Sequence, residues 1–369
     1  MSTKIAKLEE FAETTKTAGF IRKYSTDGKA VCQLCGHADS DLTLHLEMSH
    51  KTTVSAYLEK FEGFPIKGKE VGTAKTLSYD ARPKVPYSVQ ETFGFFWAKK
   101  KDKMVDGYRE PGPYTPPIDE GYVFPEEETK VALLGMHLRN KILTYGPTGS
   151  GKTTLYEQIA ARLNYNFLRI NFDSAITRSD LIGQWVVEGK EMNFAYGILP
   201  RAMALPGTIV LFDEWDTVGE EVAFVLQRPL EEHSQLLIME KGEEIVPLHP
   251  DNILVATANT CGMGDDSGLY SSGTRIQNYS QINRFSLTIV LDYLDKKKEA
   301  EVLVKKHKDL EEWEAKAIIQ AINAVREAYM QGELSAPLST RDAINWAEKF
   351  CIWGDPHKSA KFCFINRAP

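Results

Sequence analysis

This sequence contains few cysteines and no long apolar segment. The 369 residues include only five cysteines, an odd number that argues against a disulfide scaffold. Residues 1–16 are charged throughout and have no apolar centre, so they do not resemble a signal peptide. No apolar run reaches the roughly 20 residues that a membrane-spanning helix needs. The sequence therefore predicts a cytoplasmic protein that does not enter a membrane and whose thiols are mostly reduced.

A strong charge excess is also missing. The formal net charge is −7, from 51 acidic and 44 basic residues, which argues against a broad nucleic-acid-binding surface but leaves a small local one open. Hydrophobic residues make up 43% of the chain and charged residues 26%, as in ordinary globular proteins. The length allows two or three domains with sizeable cores.

A phosphate-binding loop is the most specific motif. Residues 146–153 read GPTGSGKT, which matches the G-x-x-x-x-G-K-[ST] pattern between an apolar run at 142–145 and a helical pattern at 154–163. Loop N–H groups and the helix N-terminus attract phosphates, Lys152 reaches the β/γ oxygens, and Thr153 offers its hydroxyl to Mg²⁺. The candidate nucleotide-binding residues are Gly146, Pro147, Thr148, Gly149, Ser150, Gly151, Lys152, Thr153 and Thr154.

An acidic pair at the end of a second apolar strand adds hydrolysis to nucleotide binding. The run 208–212 is β-branched and aromatic, as in a central parallel strand, and Asp213 and Glu214 follow it directly. Asp213 is expected to hold Mg²⁺, and Glu214 to orient and deprotonate the attacking water. The sequence thus predicts an ATP hydrolase that uses ATP and Mg²⁺.

A second metal site is predicted near the N-terminus. Cys32, Cys35, His45 and His50 have the order C-x₂-C-x₉-H-x₄-H, with His37 as a competing ligand. Two thiolates from a tight turn and two imidazoles from one helix suit tetrahedral Zn²⁺. The pattern resembles the single ββα-like finger of bacterial Ros/MucR-type regulators, which implies DNA binding there. The few nearby basic residues leave protein binding open as well.

The remaining pattern predicts an α/β fold with a doubly wound parallel sheet and a helical lid. Further buried strands are expected at 167–170, 253–258 and 285–290, and helices at 296–308, 311–331 and from 340 through 346. The expected domains are a zinc finger at 1–67, a Pro-rich linker at 68–120, a nucleotide-binding core at 121–294 and a helical lid at 295–369.

The linker is expected to be extended, with little structure of its own, because six prolines interrupt it. Phe93, Phe95, Phe96 and Trp97 form an apolar patch within it. This patch is expected to pack against the nucleotide-binding core or a neighbouring subunit.

From residue 122 onward the chain resembles the MoxR branch of AAA+ ATPases, and within it the ATPase subunit of aerobic cobaltochelatases. The motifs that carry the resemblance are NFDS at 171–174, DLIG at 180–183, GILP at 197–200, FVLQR at 224–228, ATANT at 256–260, QINRF at 281–285 and LSTR at 338–341. The chelatase pattern has Asp and Trp where Asn283 and Phe285 stand. Similar ATPases also occur in bacteriophages, paired with von Willebrand-type partner proteins.

The resemblance implies roles for further residues. Asn259 matches sensor 1 beside the attacking water, and Arg341 matches sensor 2 on the lid. Arg284 matches the arginine finger that reaches the γ-phosphate of a neighbouring subunit, with Arg275 as the alternative. A homo-oligomeric ring, expected to be a hexamer, follows from this role.

Three functions remain open at this point. The first is ATP-driven remodelling of a partner protein, expected to be of von Willebrand type, with the zinc finger as a recruiting module. The second is a motor that drives metal insertion into a tetrapyrrole. The third is an ATPase directed to DNA by the finger. The sequence favours the first.

Overall fold

The computed structural model describes residues 30–32, 34, 38–39, 42–60, 82–99, 101–172, 176–188, 191–262 and 277–367. These residues divide into two compact units. One contains the described residues up to 60 together with the tip of a hairpin at 187–194, and the other contains the rest. Among the helices that the structure describes, none has the length and apolar character needed to cross a bilayer.

The first unit has a strand–strand–helix order. Strands β1 (Ala30–Val31) and β2 (Ala38–Asp39) pair antiparallel, and helices α1 (Thr43–His50) and α2 (Val54–Lys60) follow. Their apolar side chains form a small separate core, which consists of Cys32, Leu42, Leu46 and Tyr57 with Leu34 against it.

The predicted linker contains regular structure, so the expectation of little autonomous structure was wrong for residues 84–108. Strands β3 (Lys84–Ser88) and β4 (Met104–Tyr108) pair antiparallel around helix α3 (Val89–Phe93). The hydroxyl of Tyr87 donates to the carbonyl oxygen of Tyr108 at 2.7 Å. Pro86, in β3, is tolerated because β3 and β4 form a separate two-stranded sheet in which both strands are edge strands.

The apolar patch of this segment lies mostly in the core of the second unit, as expected. Phe93 is buried and contacts Phe124 edge-on, with 5.0 Å between ring centroids. Phe95 and Trp97 pack against the same cluster, whereas Phe96 remains 37% exposed. The segment is therefore part of the hydrophobic core of the nucleotide-binding region.

The remaining described elements follow in chain order. The strands are β5 (Ile142–Tyr145), β6 (Asn166–Asn171), β7 (Gly183–Glu188), β8 (Glu191–Tyr196), β9 (Thr208–Asp213), β10 (Gln235–Ile238), β11 (Glu244–Pro247), β12 (Ile253–Ala258) and β13 (Leu287–Val290). The helices are α4 (Glu126–His137), α5 (Lys152–Arg162), α6 (Arg178–Ile182), α7 (Ile198–Ala204), α8 (Glu220–Gln227), α9 (Tyr279–Ile282), α10 (Lys296–Lys306), α11 (Glu312–Met330), α12 (Thr340–Trp353) and α13 (Pro356–Cys363).

A five-stranded parallel sheet positions the site. Its order is β13-β5-β12-β9-β6, and every residue of β9 and β12 is buried, as expected for central strands covered on both faces. The strand predicted from residue 285 begins instead at Leu287. Phe285 lies in the preceding turn, where its N–H donates to Ile282 and its ring contacts Trp215 edge-on.

The C-terminal helices α10 to α13 form their own apolar cluster in the region predicted as a helical lid. Helix α12 begins at a capping box in which Ser339 and Asp342 satisfy each other's backbone N–H groups. It extends past the predicted end at Trp346 to Trp353, where Gly354 terminates it at a φ of 64°.

Candidate active site

The glycine loop connects β5 to α5 and leaves open space at the helix N-terminus. Gly151 has a φ of 94°, and a Cβ built there would meet no atom within 4 Å. Helix α5 starts directly after it, so its first N–H groups face that space. The Ser150 hydroxyl is buried and has no hydrogen-bond partner among the described residues. The loop therefore fits a polyphosphate, which would supply the missing acceptors.

Lys152 is the buried cation of the site. Its Nζ donates to the carbonyl oxygens of Gly146 at 2.8 Å and Pro147 at 3.0 Å, and to Oδ1 of Asn259 at 3.1 Å. Burial lowers the pKa of Lys152 to about 8, and nearby carboxylates, Asp216 first, oppose that shift. Bound phosphates would stabilise its charged form.

The two predicted magnesium ligands contact each other directly. The Thr153 hydroxyl donates to both carboxylate oxygens of Asp213, at 3.0 and 3.2 Å. Asp213 also accepts a hydrogen bond from the Thr257 hydroxyl and pairs with Nε of Arg169 at 2.5 Å. A hydroxyl and a carboxylate are ligands that Mg²⁺ prefers, so Thr153 and Asp213 fit this ion.

Glu214 lines the same polar cavity as Lys152 and Asp213, and its backbone is in a left-handed conformation with a φ of 58°. A non-glycine residue in this region is uncommon, and such strain often marks functional positions. Burial and then the charge of Asp213 raise the pKa of the Glu214 carboxyl, while Arg169 opposes them. A raised pKa suits a group that must accept a proton from water.

The backbone of Asn259 is held by a hydrogen bond to Asp216, a residue that the sequence did not single out. Asp216 is fully buried, and its Oδ2 accepts from the N–H of Asn259 at 3.0 Å and from the N–H of Thr260 at 2.9 Å. The Oδ1 atom of Asp216 has no hydrogen-bond partner among the described residues. Asp216 thus holds the loop after β12 so that the Asn259 side chain points at Lys152.

Most of the residues predicted for the nucleotide site line two adjoining cavities, whereas Gly146, Pro147 and Arg284 line neither. The polar cavity has a volume of about 160 Å³ and is lined by Thr148, Gly149, Gly151, Lys152, Thr153, Thr154, Arg169, Asp213, Glu214, Thr257, Ala258, Asn259 and Arg341. The second, of about 190 Å³, shares Gly149, Gly151, Thr154 and Arg341 and is mainly apolar. A polar part for phosphates next to an apolar part for a base suits a nucleotide.

Arg284 is the predicted catalytic residue that lies away from both cavities. Its Nη1 donates to Oε1 of Glu231 at 3.0 Å and to the carbonyl oxygen of Gln227 at 3.4 Å. Neither cavity is lined by it. Arg275, the alternative, lies outside the described residues.

The predicted zinc ligands are only partly described. Cys32 is buried just after β1, and His50 is the last residue of α1. Cys35, the competing His37 and the side chain of His45 lie outside the described residues. Within the described ranges, no group of three or more His, Cys, Asp or Glu side chains could hold a metal ion. The zinc site stays a prediction.

The sequence did not single out Arg169 and Thr257, which line the polar cavity, or Asp216, which does not line it but accepts a hydrogen bond from the backbone of Asn259. Arg169 and Thr257 occupy predicted strands, where nothing in a single sequence distinguishes a site residue from a structural one. Asp216 follows the acidic pair by two positions, and this D-E-x-D spacing was the one available signal.

Comparison with known proteins identifies a family model and several relatives that this chain resembles. A family model described as "AAA domain (dynein-related subfamily)" matches residues 141–272. The aerobic cobaltochelatase subunit CobS of a Sinorhizobium species is 35% identical over 293 residues, which are 77% of this chain and 86% of that protein. Protein CbbQ of Hydrogenophilus thermoluteolus is 26% identical, over 55% of this chain and 71% of its own length. Protein NorQ of Paracoccus denitrificans is 32% identical, over 32% of this chain and 43% of its own length.

Proposed function

The chain belongs to the AAA ATPases of the dynein-related, MoxR-like type that include CobS, and on this premise we propose that it couples ATP hydrolysis in a ring of subunits to the remodelling of a partner protein. Membership of this family indicates that the chain hydrolyses ATP. The observation that best supports the individual roles is the convergence of Lys152, Asp213, Glu214 and Asn259 on one polar cavity.

In the proposed reaction, the loop N–H groups and Lys152 hold the phosphates. Thr153 and Asp213 would hold Mg²⁺, which neutralises charge on the β- and γ-phosphates when bound. Glu214 accepts the proton of the attacking water, and Asn259 orients that water. Arg341, at the start of α12, brings the lid to the same phosphates.

Arg284 is proposed to act on the nucleotide of a neighbouring subunit. Its charged side chain is 25% exposed and lies away from the cavities of its own chain, as a residue acting between subunits would. Its positive charge would stabilise the transition state from outside, and a closed ring, proposed to be a hexamer, gives every site such a donor.

The N-terminal unit is proposed to recruit the client. Cys32, Cys35, His45 and His50 would bind one structural Zn²⁺. The order of β1, β2 and α1 supports this proposal, because Cys32 directly follows β1 and both histidines belong to the helix after β2. A von Willebrand-type protein is the proposed partner, and the cytoplasm the proposed location.

A second function is favoured by one specific observation, the 35% identity with CobS over most of that protein. The printed name of CobS makes it part of a cobaltochelatase, so this chain is alternatively proposed as the motor of a metal chelatase. DNA-directed activity rests on the finger pattern alone.

The proposals are separated by measuring which addition stimulates ATP turnover by the full chain. Three additions are compared: a von Willebrand-type protein, a tetrapyrrole with chelatase subunits, and duplex DNA at several salt concentrations. We expect the first to raise turnover. Stimulation only by the second would establish the chelatase motor, and a steep salt-dependent response to DNA would establish the third function.

A further inference from the structure

The chain segment between the sheet and the lid contains a tyrosine that contacts both. Tyr293 lies between the end of β13 and the start of α10. Its hydroxyl donates to the carbonyl oxygen of Thr148, in the phosphate loop, at 3.0 Å. A side chain of this connecting segment, called the hinge below, is thus hydrogen-bonded to the loop that would hold the nucleotide.

The ring of the same tyrosine is held by the lid. The guanidinium of Arg326, on α11, lies over the Tyr293 ring, 3.7 Å from its centroid. Such a contact favours a fixed ring orientation, and hence a fixed direction of the hydroxyl.

Arg326 is itself fixed by a buried ion pair. Its two terminal nitrogens donate to the two carboxylate oxygens of Glu299 at 2.8 and 2.9 Å, and its Nε donates to the carbonyl oxygen of Leu338 at 2.8 Å. Arg326 is 7% exposed and Glu299 is fully buried. A bidentate pair in such surroundings has one geometry, so movement of one partner moves the other.

The network ends next to the nucleotide cavities. Oε1 of Glu299 accepts a hydrogen bond from the Thr340 hydroxyl at 2.5 Å. Thr340 and the adjacent Arg341 line the more apolar cavity, and Arg341 also lines the polar one. A continuous set of contacts therefore links the phosphate loop to the lid arginine through the hinge and the lid core.

We propose that Tyr293 is a positioning residue that couples the state of the phosphate loop to the position of the lid, through Arg326, Glu299 and Thr340. Nucleotide binding orders the loop, the Thr148 carbonyl holds the Tyr293 hydroxyl, and the lid is set so that Arg341 faces the phosphates. The proposal rests on the nucleotide site described above and adds the means by which the lid senses it.

The test removes the two ends of the network separately and together. Tyr293→Phe deletes the hydroxyl but keeps the ring under Arg326, and Thr340→Val deletes the other terminal hydroxyl. Neither change leaves a buried charge without its partner, which substitution of Glu299 or Arg326 would do. ADP affinity is measured for the wild type, both single variants and the double variant. The control is Tyr329→Phe, which removes a tyrosine hydroxyl from α11, the helix that contains Arg326.

We expect each single variant to bind ADP about 2- to 10-fold more weakly, as loss of one hydrogen bond predicts. The double variant should lose less than the product of the two factors, because either change already disconnects the network. Tyr329→Phe should bind as the wild type does. Losses that simply multiply, or no loss in Tyr293→Phe, would overturn the coupling.

A second measurement follows the lid itself. Spin labels are placed on the exposed positions Glu221 and Glu312, and the distance between them is recorded with and without ADP. ADP should narrow the distance distribution in the wild type but not in Tyr293→Phe. Equal narrowing in both proteins would refute the proposal. A wild type that binds no ADP would instead refute the nucleotide site.

Discussion

At the scale of single residues, Glu214 is the proposed base of the reaction. The Glu214→Gln variant should bind ATP with nearly unchanged affinity, because the amide keeps the size of the carboxyl. Turnover should fall by about 10²- to 10⁴-fold, because an amide cannot accept the proton of the attacking water. Phosphate release and nucleotide affinity are measured in parallel, with the exposed Glu221→Gln as a control that should resemble the wild type. Wild-type turnover in Glu214→Gln would assign the base elsewhere.

The lowered pKa of Lys152 predicts how binding depends on pH. In the free protein the amine loses its proton near pH 8, whereas bound phosphates favour the charged form. Binding above pH 8 therefore takes up a proton, and ATP affinity should fall by about tenfold per pH unit as pH rises. Calorimetry in two buffers of different ionisation enthalpy measures that proton.

The Lys152→Arg variant is the matched control for this prediction. Arginine stays charged across the range, so its ATP affinity, although weaker, should not vary between pH 8 and 9.5. If the wild type shows the same flat profile and no proton uptake, Lys152 is charged in the free protein.

Single residues were predictable where a local pattern dictates chemistry. Lys152 and Glu214 belong to motifs whose spacing along the chain fixes their roles, and the structure places both at one cavity. Asp216 and Tyr293 act through contacts with residues 43 and 145 positions away, so only the fold reveals them.

At the scale of elements, the hairpin at 84–108 is the main departure from the sequence reasoning. The six prolines in and around it indicated a linker, and local propensity gave no opposing signal. The burial of Phe93 and Tyr108 against residues far along the chain decided the outcome. Strands β9 and β12 were predictable because continuous apolar runs describe strands that are buried on both faces.

Because Phe93 of the hairpin is buried in the core, we expect the hairpin to stabilise the ATPase core. Phe93→Ala should lower the free energy of unfolding by about 3–5 kcal/mol, because it removes a buried ring and leaves a cavity. Phe96→Ala, three residues on and 37% exposed, should cost about 1 kcal/mol or less. Urea unfolding of both variants measures the difference. Equal midpoints would mean that the hairpin folds independently of the core.

At the scale of the whole molecule, the two compact units predict a modular response to loss of zinc. Purified protein should contain one Zn²⁺ per chain, and Cys32→Ser should lose it and unfold the N-terminal unit, because such a metal supplies the folding energy of its own small domain. Basal ATPase activity should persist, while recruitment of the client is lost. Cys351→Ser, in the lid, should retain zinc. Absence of zinc from carefully prepared protein would refute the metal site. Loss of basal ATPase activity in Cys32→Ser would mean that the finger is part of the motor.

The proposed ring predicts that two inactive variants restore activity to each other. Arg284→Ala should bind ATP but hydrolyse it poorly, and Lys152→Ala should bind it poorly. Each complete site needs Lys152 from one subunit and Arg284 from the next. In an equal, randomly mixed ring, about one quarter of the interfaces contain both, so turnover should recover to at most about that fraction of the wild-type value.

The control for this mixture is a chain that carries both substitutions. Mixed with either single variant, it creates no complete interface, so activity should stay at the level of the single variants. Sedimentation with ATP shows whether rings form in every mixture. Recovery with the double variant, or a fully active monomer at high dilution, would place the whole site within one chain and leave the ion pair between Arg284 and Glu231 as a structural contact.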